Sequence, residues 1–400
     1  MVKPKKIAIG CQGGGMHAAF EVGVLTEILK DIRDTSRFEL VGLSGTSAGA
    51  LCALMVWYGL APKPESAGSA DEAIERLNDF WEDFVAGTGA ETALNLLTYG
   101  AFWAEEKEIP VLGVNVPILG LNPYGALYKV FAASLPSLGI RKQYFDLATM
   151  LEKACPDFDN VVWQDQKTRV LIGASEVVNG FETVFDSGVN KKMQSQNKGM
   201  HPVKHAKDRS RYWRQKLPLT LSGVAASGTL PSLREAEHIK ADGHYWDGLY
   251  SQNPPVREFF DPPVHGSKEP EHVPDELWII RINPQQWPEV PSSNKDIQDR
   301  QNELMGNLSL NKDLDFIMAV NAWAEDYKGQ QFAKDHKHVT VRTIKMEKKT
   351  ADSLSYSSKF DRSRAFMDEL RKEGRKVTRD WLDSWHKGKA GCYPEDAAYP

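Results

Sequence analysis

Short apolar runs alternate with longer helical patterns along the first part of the chain. Ile7 to Cys11 lies between a basic start and a glycine cluster and reads as a buried strand. Gly13 to Lys30 reads as a loop followed by a helix, with Phe20, Val24, Leu25 and Ile28 at helical spacing. Leu40 to Ser44 is a second apolar run. It passes at once into Gly45-Thr46-Ser47-Ala48-Gly49 and a 14-residue apolar stretch, Ala48 to Ala61. Strand, loop, helix, strand, turn, helix is the opening of a parallel sheet with right-handed crossovers. Helical patterns over 74–85 and 124–135 enclose a Gly/Pro-rich interval at 109–123. Arg169 to Ser175, Leu277 to Ile282 and Val339 to Ile344 read as further strands. Asp242-Gly243 reads as a hairpin turn between His238–Ala241 and His244–Asp247. Ser309 to Tyr327 reads as an amphipathic helix with Leu314, Ile317 and Met318 on one face. Residues 361–386 read as a last helix, and 387–400 as a frayed tail.

Composition narrows the class. With 41% hydrophobic and 26% charged residues, the 400-residue chain is an ordinary globular one, not a disordered one. A net charge of -5 argues against a nucleic-acid binder. Cys11, Cys52, Cys155 and Cys392 lie far apart with no C-x-x-C pair, so neither a disulfide scaffold nor a zinc ribbon is expected. Only Ile7, Ala8 and Ile9 follow Lys3, Lys5 and Lys6 before Gly10, too few for the apolar core of a signal peptide. The 14 apolar residues of 48–61 fall short of the ~20 that a membrane span needs. A soluble cytoplasmic protein is the expectation. Peripheral membrane contact stays open, because Lys191 to Lys216 holds nine Lys/Arg and a single acid, Asp208. That stretch reads either as a solvated loop or as a surface for anionic headgroups.

Three motifs carry chemistry. Gly45-Thr46-Ser47-Ala48-Gly49 is a G-x-S-x-G pattern between an apolar strand and an apolar helix. A sharp turn there would push the Ser47 hydroxyl out of the sheet, with the helix N-terminus beneath it. The competing reading is a plain turn with a structural serine. Gly13-Gly14-Gly15-Met16-His17-Ala18 follows the first strand, and contiguous glycines let backbone N–H groups face an anion. A dinucleotide-binding turn also fits this pattern, with Glu39 as the ribose acid, but Glu39 sits at the entry end of the second strand instead of its carboxyl end. An oxyanion hole fits better, since turns after neighbouring parallel strands share one sheet edge. Asp247-Gly248 ends a strand-like piece and enters a loop, where its carboxylate can be held near that edge. Its plain reading is an Asp-Gly turn.

Together these motifs resemble the patatin-like phospholipase family, with Asn253-Pro254 after the Asp-Gly pair. Val224-Ala225-Ala226-Ser227-Gly228-Thr229-Leu230-Pro231 and Arg300 to Leu310 add to the likeness, which covers roughly residues 5–330. The resemblance implies a three-layer α/β/α sandwich with a mainly parallel central sheet and helical insertions. It assigns 1–345 to a catalytic domain with insertions at about 61–160 and 186–216, and 346–386 to a helical extension. It implies a lipid acyl hydrolase that needs no metal or organic cofactor. Its substrate would be a lipid ester, cleaved through an acyl-enzyme on a Ser-Asp dyad. By motif match Ser47 is the nucleophile and Asp247 the base. The amides of Gly13, Gly14 and Gly15 form the oxyanion hole. Four positions depart from the family pattern: Gln12 for an acid, His17 for Arg or Lys, Ala18 for Gly, and Leu249 for a small residue. His17 would support the glycine loop and, titrating near ~6.5, make activity depend on pH; the competing reading is a neutral loop histidine. The nearest rival is a Ser-Asp-His triad drawing on His265, His272, His336, His338 or His386. An acyltransferase and a non-catalytic lipid-binding protein are further alternatives. Trp57, Trp81, Trp103 and Trp323 would line an acyl pocket or belong to the core.

Overall fold

Period-two alternation along the strands builds two separate cores, one on each side of a single sheet. The computed structural model describes residues 4–106, 123–164, 167–190, 213–231, 233–239, 243–260, 273–287, 289–331, 333 and 336–397. Among these, nine strands form the sheet: β1 (Lys5–Cys11), β2 (Phe38–Thr46), β3 (Arg169–Glu176), β4 (Glu182–Asp186), β5 (Arg214–Pro218), β6 (Glu237–Ile239), β7 (Gly243–Asp247), β8 (Glu276–Arg281) and β9 (Thr340–Lys345). Ile7, Ile9 and Cys11 of β1 enter one core and Ala8 the other. β8 divides in the same way, with Trp278 and Ile280 on one face and Leu277 and Ile279 on the other.

Helices cover both faces, so the protein is a three-layer α/β/α sandwich. On the first face lie α1 (Ala19–Thr35), α2 (Ala48–Leu60), α3 (Ala70–Phe84) and the C-terminal helix Arg364–His386. α2 is apolar all round because it is buried along almost its whole length. α3 is amphipathic: Ser69 caps it by accepting from the Glu72 amide, and Ala73, Leu77, Phe80 and Trp81 face inward. On the second face the long helix Asn294–Asp326 packs Leu310, Leu314 and Ile317 against the sheet.

The strand order is β5-β4-β3-β2-β1-β8-β9, with β7 on β3 and β6 on β7. Pairing is parallel from β3 through β2, β1 and β8 to β9, and antiparallel where β3 meets β4 and β7. The hairpin expected around Asp242-Gly243 is the β6–β7 pair, Asp242 itself lying outside the described residues. Two expectations change. The long helix begins at Asn294, well ahead of Ser309, because its first half buries a polar stripe, Asp299, Glu303 and Asn307, which hydrophobic periodicity does not register. The tail expected to fray lies along β9 instead. The Tyr393 amide donates to the Val341 carbonyl (2.9 Å), and the Asp396 carboxylate accepts from the Thr343 amide (2.7 Å), which covers an open sheet edge. Among the described residues, no helix is long and apolar enough to cross a membrane.

Candidate active site

The register of β1 and β2 sets Cys11 beside Gly45, so both strands release the chain at one edge of the sheet. Ser47 follows β2 with φ 55° and ψ −127°, a conformation that costs a non-glycine residue ~1–3 kcal/mol. Neighbouring contacts hold it there. A Cβ on Gly49 would strike the Cys11 and Gln12 carbonyls, so α2 starts directly against the end of β1. The Ser47 amide donates to Ser227 Oγ (2.9 Å), and Ser227 Oγ donates to the Gly173 carbonyl (2.5 Å). A serine before a helix usually caps it. The Ser47 side chain makes no such bond, which leaves its hydroxyl free for other work. Gly13 presses against this turn: a Cβ there would lie 2.7 Å from Ser47 Cβ and 2.8 Å from the Thr46 carbonyl.

Asp247 reaches the same place from far along the chain. β2 pairs with β3 as far as Thr46 opposite Gly173. β4 occupies the other flank of β3 over Leu171 to Ser175. β7 therefore takes up the flank that β2 leaves, with Asp247 opposite Ala174, one position beyond Gly173. The Asp247 side chain is fully buried. Its Oδ1 accepts from the Leu249 amide (2.8 Å), while Oδ2 has no hydrogen-bond partner among the described residues. Burial pushes the carboxyl up to about 7. The Leu249 amide and the neighbouring Ser47 hydroxyl both act in the opposite direction.

The glycine loop is held by amide side chains. Gln12 is buried. Its Oε1 accepts from the Ile282 and Asn283 amides (3.1 and 3.2 Å), and its Nε2 donates to Asn307 Oδ1 (3.0 Å). A carboxylate could accept those two bonds but could not donate the third, which accounts for glutamine at this position. The Gly13 amide donates to Asn253 Oδ1 (2.6 Å), and its carbonyl accepts from Asn283 Nδ2 (2.7 Å). Gly13 is thus bound into the framework, and its N–H, contrary to expectation, is not available to an oxyanion. The amides of Gly14 and Gly15 have no partner among the described residues. His17 is buried, with Nε2 2.7 Å from Ser358 Oγ. Burial, reinforced by the charge of Lys359, holds its pKa well below 6.5, which fits the neutral loop histidine of the two readings and not the pH-sensitive one.

A family model for patatin-like phospholipases matches residues 11–260, more than half of the chain. The chain belongs to the patatin-like phospholipase family. None of the curated proteins matches it. Among solved structures, VipD from Legionella pneumophila is 12% identical, with a TM-score of 0.33 over 96% of this chain and 67% of that chain. As a patatin-like phospholipase the protein is a lipid acyl hydrolase in the general sense. The matched span contains Gly13–His17, Ser47, Ser227, Asp247 and Asn253. Asn283, Asn307 and Ser358, which hold the loop of this family member, lie beyond it.

Other expected residues fall elsewhere. No described histidine bonds the Asp247 carboxylate, and His386 instead pairs with Asp31 (2.8 Å). His265, His272 and the basic stretch up to Tyr212 lie outside the described residues. Trp57 and Trp81 are core, whereas Trp103 and Trp323 are exposed. A cavity of about 330 Å³ borders His17, Trp287, Glu303, Tyr356 and Lys359, but neither Ser47 nor Asp247 lines it. Among the described residues, no group of three or more His, Cys, Asp or Glu could hold a metal ion.

Proposed function

We propose that this protein hydrolyses carboxylic esters of phospholipids or related lipids through an acyl-enzyme on Ser47, with Asp247 as the general base. The observation that carries the reading is the buried Asp247 carboxylate, which has one oxygen unpartnered among the described residues, beside the Ser47 turn. A base with a pKa of about 7 is matched to proton transfer near neutral pH. Asp247 Oδ2 takes the hydroxyl proton as Ser47 Oγ attacks the ester carbonyl. It returns that proton to the departing alcohol, and water then releases the acyl group by the same steps in reverse order. The Gly14 and Gly15 amides supply the oxyanion donors, each contributing ~3–4 kcal/mol, while Gly13 anchors the loop. No described histidine meets Asp247, which favours a dyad over a triad.

Treatment of the folded protein with a fluorophosphonate, followed by mass spectrometry, should place the adduct on Ser47. A panel of phospholipid and lysophospholipid esters should show release of fatty acid that Ser47→Ala abolishes. Labelling elsewhere, or an unchanged rate in Ser47→Ala, would remove Ser47 as nucleophile.

A further inference from the structure

We propose that the segment Ser355–Phe360 is the positioning element of the glycine loop, acting through Ser358 and Lys359 to aim the Gly14 and Gly15 amides at the oxyanion. This rests on the hydrolase reading above. The segment lies about a hundred residues beyond the family-matched span and ends in a short 3-10 turn, Ser357–Phe360.

Three contacts connect it to the loop. First, Gly15 has φ 58°, and a Cβ on it would lie 2.5 Å from the Lys359 carbonyl, so the backbone of the segment sits directly against the loop. Second, Ser358 Oγ holds the His17 ring. Its single proton goes to the Ser355 carbonyl (2.8 Å), so it accepts from the Ser355 amide (2.9 Å) and from His17 Nε2 (2.7 Å). His17 must therefore carry its proton on Nε2. Third, the Lys359 side chain is 13% exposed and its ammonium is paired with Asp299, with Glu303 3.6 Å away, both on the long helix. The segment is thereby braced between that helix and the loop.

The loop needs such a brace. Three successive glycines have the greatest backbone freedom of any sequence, and oxyanion donors act only when fixed in advance. Asn253 and Asn283 immobilise Gly13 by hydrogen bonds, whereas at Gly14 the Asn283 side chain is in van der Waals contact only. His17 also borders the 330 Å³ cavity. Continuous packing is thus missing on that side, and specific bonds must take its place. The stripe Asp299–Glu303–Asn307 has the same explanation: each residue meets a group that supports the loop, Lys359 for the first two and Gln12 for the third.

The test is steady-state hydrolysis of a short p-nitrophenyl ester by the full chain, with Ser358→Ala, Lys359→Met and Lys359→Arg. Ser358→Ala should lower kcat by ~10-fold with KM unchanged; it removes the bond to His17 together with the two bonds to Ser355, so kcat is read on folded protein at a temperature well below its lowered melting point. Lys359→Met should lower kcat by ~100-fold, and Lys359→Arg should restore most of it. A folded Ser358→Ala with wild-type kcat, or a loss confined to KM, would overturn the proposal. A measurement free of turnover is the ¹⁵N spectrum of the His17 ring. It should show the Nε2–H tautomer in the wild type and lose it in Ser358→Ala, and an Nδ1–H tautomer in the wild type would also overturn the proposal. Ser47→Ala separates the two readings. If it is inactive while Ser358→Ala is normal, only the positioning role falls. If it retains wild-type activity, the dyad falls first.

Discussion

Replacing Asp247 by asparagine separates the chemical from the structural role of the carboxyl, because shape and volume are kept. The side-chain oxygen of the Asp247→Asn variant can still accept from the Leu249 amide, as Oδ1 does now. Burial raises the wild-type carboxyl from an ordinary 3.8 to about 7. Between those two values the folded chain keeps a proton that the unfolded chain has lost, so wild-type stability declines as pH climbs through this window. At about 1.36 kcal/mol per pH unit the decline is of the order of 4 kcal/mol. The asparagine does not titrate and has no such decline. Its amide NH₂, placed where Oδ2 now lacks a partner, costs ~1–3 kcal/mol at every pH. The variant should therefore be the less stable protein near pH ~4 and the more stable one near pH ~8, a crossing that urea unfolding at the two pH values reads directly. In parallel, wild-type kcat/KM should rise with pH to a plateau with a midpoint near 7, since the base acts only when ionised. Asp247→Asn should be flat and ~10²–10⁴-fold slower. A stability difference that stays constant between the two pH values, or an acid limb centred near ~4, would refute this account of the aspartate.

Two further variants probe the glycine loop. Gly13→Ala places a methyl 2.7 Å from Ser47 Cβ and 2.8 Å from the Thr46 carbonyl. It should cost ~1–3 kcal/mol in urea unfolding and lower kcat, and a neutral result would show that loop and turn are not in contact. His17→Arg brings a permanent charge into a buried site beside Lys359. It should destabilise the fold by ~3–5 kcal/mol, and a melting temperature equal to the wild type would contradict the burial of this residue.

Much of the framework was legible because it depends on local pattern. β1, β2, β3 and β8 contain continuous apolar runs, as strands buried on both faces must, the edge strand β9 shows instead apolar residues spaced among polar ones, and α2 announces itself by an unbroken apolar stretch. β4 and β5 are short and mix polar with apolar residues, so alternation gave no signal. The meeting of Gly13 with Ser47 followed from the rule that parallel neighbours share an exit edge. The position of Asp247 did not follow from any local rule, since the antiparallel return of β7 along β3 is a tertiary choice. The choice between the two readings of His17 was not legible for a related reason. Nothing near position 17 shows that Ser358 and Lys359, more than 300 residues later, enclose it. The one available hint was the i, i+4, i+8 spacing of Asp299, Glu303 and Asn307. A buried polar stripe of that kind on a helix implies distant polar partners.

Ser47 and Asp247 are two hundred residues apart, yet both are located by reference to β3, one at the end of its pairing with β2 and the other at the start of its pairing with β7. Apart from β3 itself and the Ser227–Thr229 turn that bonds both ends, the intervening chain passes through α3 and further helices and through stretches of very different composition that lie outside these pairings. Lengthening or exchanging those connections changes what surrounds the nucleophile without disturbing its distance from the base. A slip of β7 by a single residue along β3 would do the opposite, turning Asp247 to the far side of the sheet while every loop stayed the same. The fold therefore separates the part of the molecule that can diversify from the part that cannot, and the boundary between them is the register of one strand.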